Sequence, residues 1–324
     1  MKFVTVKLII AIAATTCLSA AAHSQSYPAK PVRYVVPFAV GDGPDLVARL
    51  AADRLSRAWG QQVFVENRTG AGGTVGAAYV AKSPADGYTV FQCNIASNAI
   101  AQAVYQKLSY DGLNDFAMVS RLAMTANVIV VHPSMAIKSI PEFVAFAKAR
   151  PGRLSYGTGG VGTSPHMSME LLKLRTSIDI VHVPYKGGNP AAVDLVGGQI
   201  PSMIANVPSI LTHILAGKAR PLAVTSEKRV TPMPEVPTMI ESGIPGYVVS
   251  PWYGMCAPAG TPAPVLDKLH ADVTRAMQAP DVRQRLADLV IEPALTSREE
   301  FAAFVRSELE RWETVVRDAR IPRQ

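Results

Sequence analysis

Basic residues never gather in this 324-residue chain: no run of five or more Lys or Arg occurs, and only 18% of residues are charged. The electrostatic footprint of a nucleic-acid binder is therefore missing. Cysteine is scarce, present only as Cys17, Cys93 and Cys256. A disulfide-rich scaffold is excluded, and no Cys-x-x-Cys motif offers metal or redox chemistry. There is no Gly-x-Ser-x-Gly elbow for a hydrolase serine and no His-Glu-x-x-His for zinc. No second long apolar run follows the N-terminus, so no further membrane span of ~20 residues is expected. Neither a catalytic set, a metal nor a cofactor is predicted. What is present is a globular composition, 48% hydrophobic, long enough for two domains of ordinary size.

The first residues form a secretory signal. Lys2 and Lys7 begin a charged segment, residues 8–18 are apolar, and small residues follow through Ala20, Ala21 and Ala22 to His23 and Ser24. Cleavage is expected after Ala22 or Ser24. Thr15 and Thr16 before Cys17 do not make a lipid-attachment signal. Loss of residues 1–24 removes Lys2 and Lys7 and no acid, which lowers the formal charge from +7 to +5. In an oxidising compartment Cys93 and Cys256 are open to two readings, a disulfide or two buried thiols.

Strand and helix patterns alternate along the rest. Strands are predicted over residues 32–38, 62–66, 88–93, 126–132, 154–157, 180–183 and 222–225. Leu46, Val47, Leu50, Leu55 and Ala58 fall at helical spacing within residues 44–59, and further helices are predicted over residues 140–150, 264–278 and 298–318. Alternation of this kind implies an α/β fold with mostly parallel sheets. In such sheets ligands bind beyond the carboxyl ends of the strands.

Two loops at such ends stand out. The first, Phe38-Ala39-Val40-Gly41-Asp42-Gly43-Pro44-Asp45, leaves a strand and opens a helix with Pro44 in its first turn. The second, Thr158-Gly159-Gly160-Val161-Gly162-Thr163-Ser164-Pro165-His166, repeats that arrangement. Either Thr163 or Ser164 is the cap, leaving the other hydroxyl for a solute. Uncapped N–H groups at a helix head, reinforced by the helix dipole, bind anions. Each loop alone also reads as an ordinary turn and cap. As a pair they suggest two lobes presenting helix heads to one cleft. His166 in a helix first turn is a candidate contact, whereas Asp45 most simply complements a dipole. A third glycine cluster, residues 70–76, departs from a dinucleotide fingerprint at Val75 and reads as a tight structural turn.

With these residues in view, the chain resembles the Bug family, TctC-like extracytoplasmic solute receptors of tripartite tricarboxylate transporters. The resemblance runs through Tyr27-Pro28-Ala29-Lys30-Pro31-Val32-Arg33, the loop to Asp45, Val65-Glu66-Asn67-Arg68-Thr69-Gly70, and Ala85-Asp86-Gly87-Tyr88. It continues through residues 156–166, His182-Val183-Pro184-Tyr185-Lys186-Gly187-Gly188 and Trp252-Tyr253-Gly254-Met255. It implies a type-two periplasmic binding-protein fold with a hinge. Lobe 1 would be residues 25–125 plus 250–324 and lobe 2 residues 126–249. It further implies a periplasmic monomer that binds a small carboxylate or amino-acid-like ligand and delivers it to the transporter's membrane subunits. Phe38, Ala39, Gly41, Asp42, Asp45, Ser97, Thr158, Gly162, Thr163, Ser164, His166 and Asn206 are the candidate ligand-binding residues.

Three positions depart from the family pattern. Ala39 and Val40 stand where the family usually has two prolines, and Asp42 stands where it usually has glycine. Asp42 either caps its helix and faces away, or points into the cleft and selects a ligand bearing an ammonium or amide group. Other functions compatible with the sequence are a sensor subunit for membrane signalling and a secreted α/β hydrolase. Against the latter stands the lack of a nucleophile, base and orienting group. Trp252 is expected to pack near the hinge.

Overall fold

The computed structural model describes residues 27–318 together with residues 320, 321 and 323. The secretion signal expected over residues 1–24 lies outside them. Strands β1 (Val32–Val36), β2 (Val63–Asn67), β3 (Thr89–Asn94) and β4 (Phe116–Met124) form a first sheet with β10 (Trp252–Pro258) and β11 (Glu292–Pro293). Their order is β11-β4-β10-β3-β1-β2. Strands β5 (Asn127–Val131), β6 (Ser155–Thr158), β7 (Val181–Pro184), β8 (Ser202–Asn206) and β9 (Arg220–Val224) form a second sheet, in the order β7-β6-β8-β5-β9. The expected α/β class with two lobes and a hinge is found.

Strand direction is mostly common within each sheet. In the first, β1 pairs in parallel with β2 and β3, while β10 runs antiparallel between β3 and β4. In the second, β6 pairs in parallel with β7 and β8, while β5 runs antiparallel between β8 and β9. Through β5 and β10 the chain crosses between sheets, while the short β11, also antiparallel to β4, lies at the edge of the first sheet. Burial on both faces leaves these two crossing strands no alternation to read, so β5 showed only as a continuous apolar run and β10 was not predicted. Strand β10, for example, is buried at all of its positions.

Both faces of the first sheet are covered. Val32, Tyr34 and Val36 face one way, onto α1 (Gly43–Trp59) and α8 (Ala263–Gln278). Val35, Phe91 and Cys93 face the other, in a core that includes Trp252 from β10 and Phe301 and Trp312 from α10 (Arg298–Asp318). Helix α1 buries Val47, Ala48, Ala51, Ala52 and Leu55 on one stripe, and stops at Gly60, whose left-handed φ of 62° favours glycine. Trp252 packs as expected, its indole N–H donating to Glu308 Oε2 at 3.2 Å. Cys93 and Cys256 are free thiols buried in adjacent strands, and burial raises the Cys256 pKa. The 70–76 cluster is a tight turn, with Gly72 and Gly73 at φ of 63° and 97°, leading into α2 (Thr74–Ala81).

The two crossings between sheets are bound together by one threonine. Thr225 donates its N–H to Asn127 O at 2.9 Å and accepts the Asn127 N–H on Oγ1 at 3.0 Å. The same hydroxyl donates to Val249 O at 2.6 Å, and the Val249 N–H donates back to Thr225 O. The outgoing chain at residue 127 and the returning chain at residue 249 thus meet at a single fully buried side chain. A buried polar network of this kind is stable only when complete. Thr225→Val should lower unfolding stability by ~1–3 kcal/mol, because it strips a donor from Val249 O and an acceptor from Asn127 N–H. Urea unfolding followed by circular dichroism would measure the loss.

Candidate functional site

Four helices begin at one cavity between the sheets. Helix α1 comes from the first lobe; α5 (Ser164–Thr176), α6 (Gly188–Val196) and α7 (Val207–Leu215) come from the second. The cavity encloses about 490 Å³, counted out to the solvent at its mouth, and all four helix heads contribute to its lining. The first N–H groups of a helix have no acceptor within it. Among the helices pointing elsewhere, three carry acids in the first turn, Glu142 in α4 (Ile140–Lys148), Asp281 in α9 (Pro280–Asp288), and Glu299 and Glu300 in α10, whereas α2 and α8 carry none. Helices α5, α6 and α7 have none. Apart from the Thr163 cap on α5 and the Asp42 carboxylate facing α6, their positive ends are left to whatever enters the cavity.

The first loop is shaped from behind by Asp45. This carboxylate is fully buried and accepts from Gly41 N–H at 2.9 Å, Arg49 Nε at 2.8 Å and Asn67 Nδ2 at 2.8 Å. Asn67 also donates to Phe38 O at 2.9 Å. Gly41, at φ 83°, makes the turn that lets its N–H reach Asp45. Asp45 and Gly41 therefore hold the loop, and of the predicted residues here Phe38 and Asp42 line the cavity. Ala39 sits with Phe38 in the outer part of the cleft, opposite Lys186 and the 159–161 turn.

In the second loop Thr163 is the cap. Its Oγ1 accepts from His166 N–H at 3.4 Å and donates to Gly160 O at 2.7 Å. Ser164 is thereby released toward the cavity, where its hydroxyl meets Asn206 Nδ2 at 3.4 Å. Thr163, Ser164 and Asn206 all line the space. Thr158 and His166 do not. Thr158 Oγ1 bonds to His182 Nε2 at 2.7 Å, and His182 is stacked between Tyr156 and His166. Burial lowers the pKa of His166 to about 4 and that of His182 to about 3, so both rings are neutral near pH 7. His166 Nδ1 accepts the Gly162 N–H at 3.3 Å, which shapes the glycine turn from inside. Ser97 is likewise set back. It belongs to a wide helical turn over residues 96–100 and joins Asn94 and Asn98 in a buried network, with Tyr110 donating to Ser97 O at 2.6 Å. Asn94, rather than Ser97, reaches the cavity wall.

Several lining residues escaped the sequence reading: Asn94, Gly187, Gly188, Ser209 and Tyr253. For the α6 and α7 heads a signal existed. Gly187-Gly188-Asn189-Pro190 and Asn206-Val207-Pro208 repeat the pattern of strand, permissive residue and early proline that marks the first two loops. Gly159 shows why glycine is required in this region: a Cβ there would come within 3.1 Å of Gly188 N and 3.2 Å of Gly187 C. Tyr253 carried no such signal. Its ring is buried, the residue lines the cavity, and its buried hydroxyl has no hydrogen-bond partner among the described residues. Packed against Gly43 at the α1 head, that hydroxyl is a donor waiting for an acceptor.

Asp42 does not cap its helix and lines the cleft, the second of the two expected placements. It precedes α1 with extended backbone, but its side chain makes no capping bond. The carboxylate is buried and turned to the opposite lobe, where Ser209 Oγ donates to Oδ1 at 3.3 Å. The Gly188 and Asn189 amides of the α6 head also face it. Burial raises its pKa from 3.8 to about 6, against the lowering influence of those donors. Asn189 Nδ2 donates to Val40 O at 3.3 Å, a second bond across the cleft at the same place.

A model of the tripartite tricarboxylate transporter family receptor matches residues 47–321. The chain belongs to that family. Among solved relatives, an R. palustris protein with adipate is 37% identical, with a TM-score of 0.87 over 90% of this chain and 98% of that one. The periplasmic binding protein BugD is 32% identical, with a TM-score of 0.88 over 92% of this chain and all of that one (100%). MatC from Rhodopseudomonas palustris, with bound malate, is 33% identical, with a TM-score of 0.85 over 90% and 100%. The family consists of periplasmic solute-binding receptors, and this receptor shares their two-lobed α/β fold.

The pKa of Asp42 generates a signed prediction. Its folded value lies above its unfolded value, so the folded protein holds the proton more tightly and loses stability as pH rises from about 4 through 6. His166 and His182 act oppositely, since their folded values lie below the unfolded value and stability falls as pH drops below about 6.5. Comparison with Asp42→Asn cancels the histidines. Relative to that variant, the wild type should gain on the order of 1–3 kcal/mol between pH 7.5 and pH 4.5. Chemical unfolding of both proteins across that range would test it, and parallel curves would refute it.

Proposed function

We propose that this receptor captures a small carboxylate-bearing metabolite between its lobes, in the periplasm and as a monomer, and hands it to the membrane subunits of a tripartite transporter. Residues 25–125 with 250–324 would move as one lobe and residues 126–249 as the other, pivoting where the chain crosses at Thr225. Sheet membership supports this division, since β5 to β9 are contiguous in sequence and flanked by both crossings. The observation that carries the reading is the convergence of four helix heads on one enclosed cavity, three without an acid of their own in the first turn. Such a site is built for an oxyanion. The ligands of the solved relatives, adipate and malate, are carboxylates, in keeping with that chemistry.

A ligand carboxylate would take hydrogen bonds from Ser164, from the α5 and α7 head amides and from the Tyr253 hydroxyl, each strengthened by the ligand's charge. The protein would bind without turnover, because no nucleophile and base are paired at the cavity wall. A thermal-shift screen against carboxylic acids and their neutral amides would test the proposal. A ligand at one hundred times its Kd should stabilise by ~2.7 kcal/mol, and its amide should not. Equal stabilisation by acid and amide, or by neither across the panel, would remove the anion-binding reading. With a hit in hand, Ser164→Ala and Tyr253→Phe should each weaken binding about tenfold in calorimetric titration, in line with ~1.5 kcal/mol for a hydrogen bond to a charged group.

A further inference from the structure

We infer that Asp42 fills, with its own carboxylate, the anion position at the head of α6, so that the closed receptor takes a ligand with one carboxylate and disfavours one with two. The inference rests on the receptor reading above. It begins from where the carboxylate lies. A Cβ added to Gly187 would sit 3.1 Å from Asp42 Oδ2, and one added to Gly188 would sit 3.4 Å from Oδ1. Glycine at both positions leaves room for an anion against the helix head, and Ser209 completes the set of donors. Helix α6 has nine residues, a glycine cap with no side-chain bond and no acid in its first turn. Its head is therefore answered by an acid from the other lobe.

The rest of the cavity shows what remains for a ligand. Asp42 is the only charged side chain among the lining residues, and no Lys, Arg or His lies beside it there. The partnerless Tyr253 hydroxyl and the Ser164 and Asn206 side chains mark where one carboxylate is received. A second carboxylate would find the α6 donors taken and no cation to offset Asp42. Confinement in a poorly solvated cavity makes that like-charge repulsion larger than it would be in water.

Isothermal titration of straight-chain monocarboxylates and dicarboxylates of four to eight carbons, with the matching ω-amino acids, would test the inference on wild type, Asp42→Gly and Asp42→Asn. The best monocarboxylate should bind wild type at least tenfold more tightly than the dicarboxylate of equal length. Both variants should lose that ratio through a gain in dicarboxylate affinity. Asp42→Asn keeps the side-chain shape and serves if the glycine variant does not fold. A wild-type preference for dicarboxylates, or a ratio unchanged in both variants, would overturn the role of Asp42 while leaving the receptor reading intact. So would a tenfold preference for the ω-amino acids that Asp42→Asn abolishes, since Asp42 would then be a counter-ion for ligand and not an occupant of the α6 head. Absence of binding by every acid to all three proteins would instead defeat the receptor reading, and this inference with it.

Discussion

Helix heads without internal acceptors are the constraint on which this molecule turns. An α-helix leaves its first N–H groups unpaired, and those groups must meet water, a side chain or an anion. Here three helices of one lobe and one of the other leave that demand at the same place, in a space closed off by both lobes. The sheets, the crossings and the glycine turns serve to bring the four heads together. The far ends are treated differently: Arg57 closes α1, and Lys173 and Arg175 close α5, complementing the negative ends of those dipoles.

Behind the lining lies a second row of polar residues, buried at Asp45, Thr158 and His166 and reaching the surface at Arg49. Asp45, Asn67 and Arg49 fix the loop before α1, and Thr158, His182, His166 and Tyr156 fix the turn before α5. The first set is ionic and the second is neutral, yet both do the same work. They hold a glycine-rich backbone in one conformation, so that little ordering remains to be done when a ligand arrives. That pre-organisation lowers the entropic cost of binding.

Much of this was legible in the sequence, and the limits were physical. Strands such as β1 and β5 showed themselves through continuous apolar runs, and α1 through its apolar spacing. The heads of α1 and α5 were found from glycine, hydroxyl and proline at fixed offsets. Strands β4, β8 and β10 were missed because apolarity on both faces erases the period of two. Ser97, Thr158 and His166 were placed at the site because they neighbour it in sequence, but a helical turn or a strand end aims adjacent side chains in opposite directions. Tyr253 lies 210 residues beyond Gly43, and only tertiary packing brings its hydroxyl to that helix head. Asp42 was noticed as unusual, but its partners belong to two helices, about 145 and about 165 residues further along, so its bearing could not be read locally.

The placement of β10 carries a consequence for how the chain reaches this state. That strand lies in the interior of the first sheet, between β3 and β4, although it follows the whole of the second lobe in sequence. The N-terminal sheet is thus left with a central gap until residue 258 is available. Its assembly depends on contacts of high sequence separation, which slow folding. A nascent chain lacking that late segment lacks β11 as well, so β4 has no strand partner beside the β2-β1-β3 set until β10 arrives to join them.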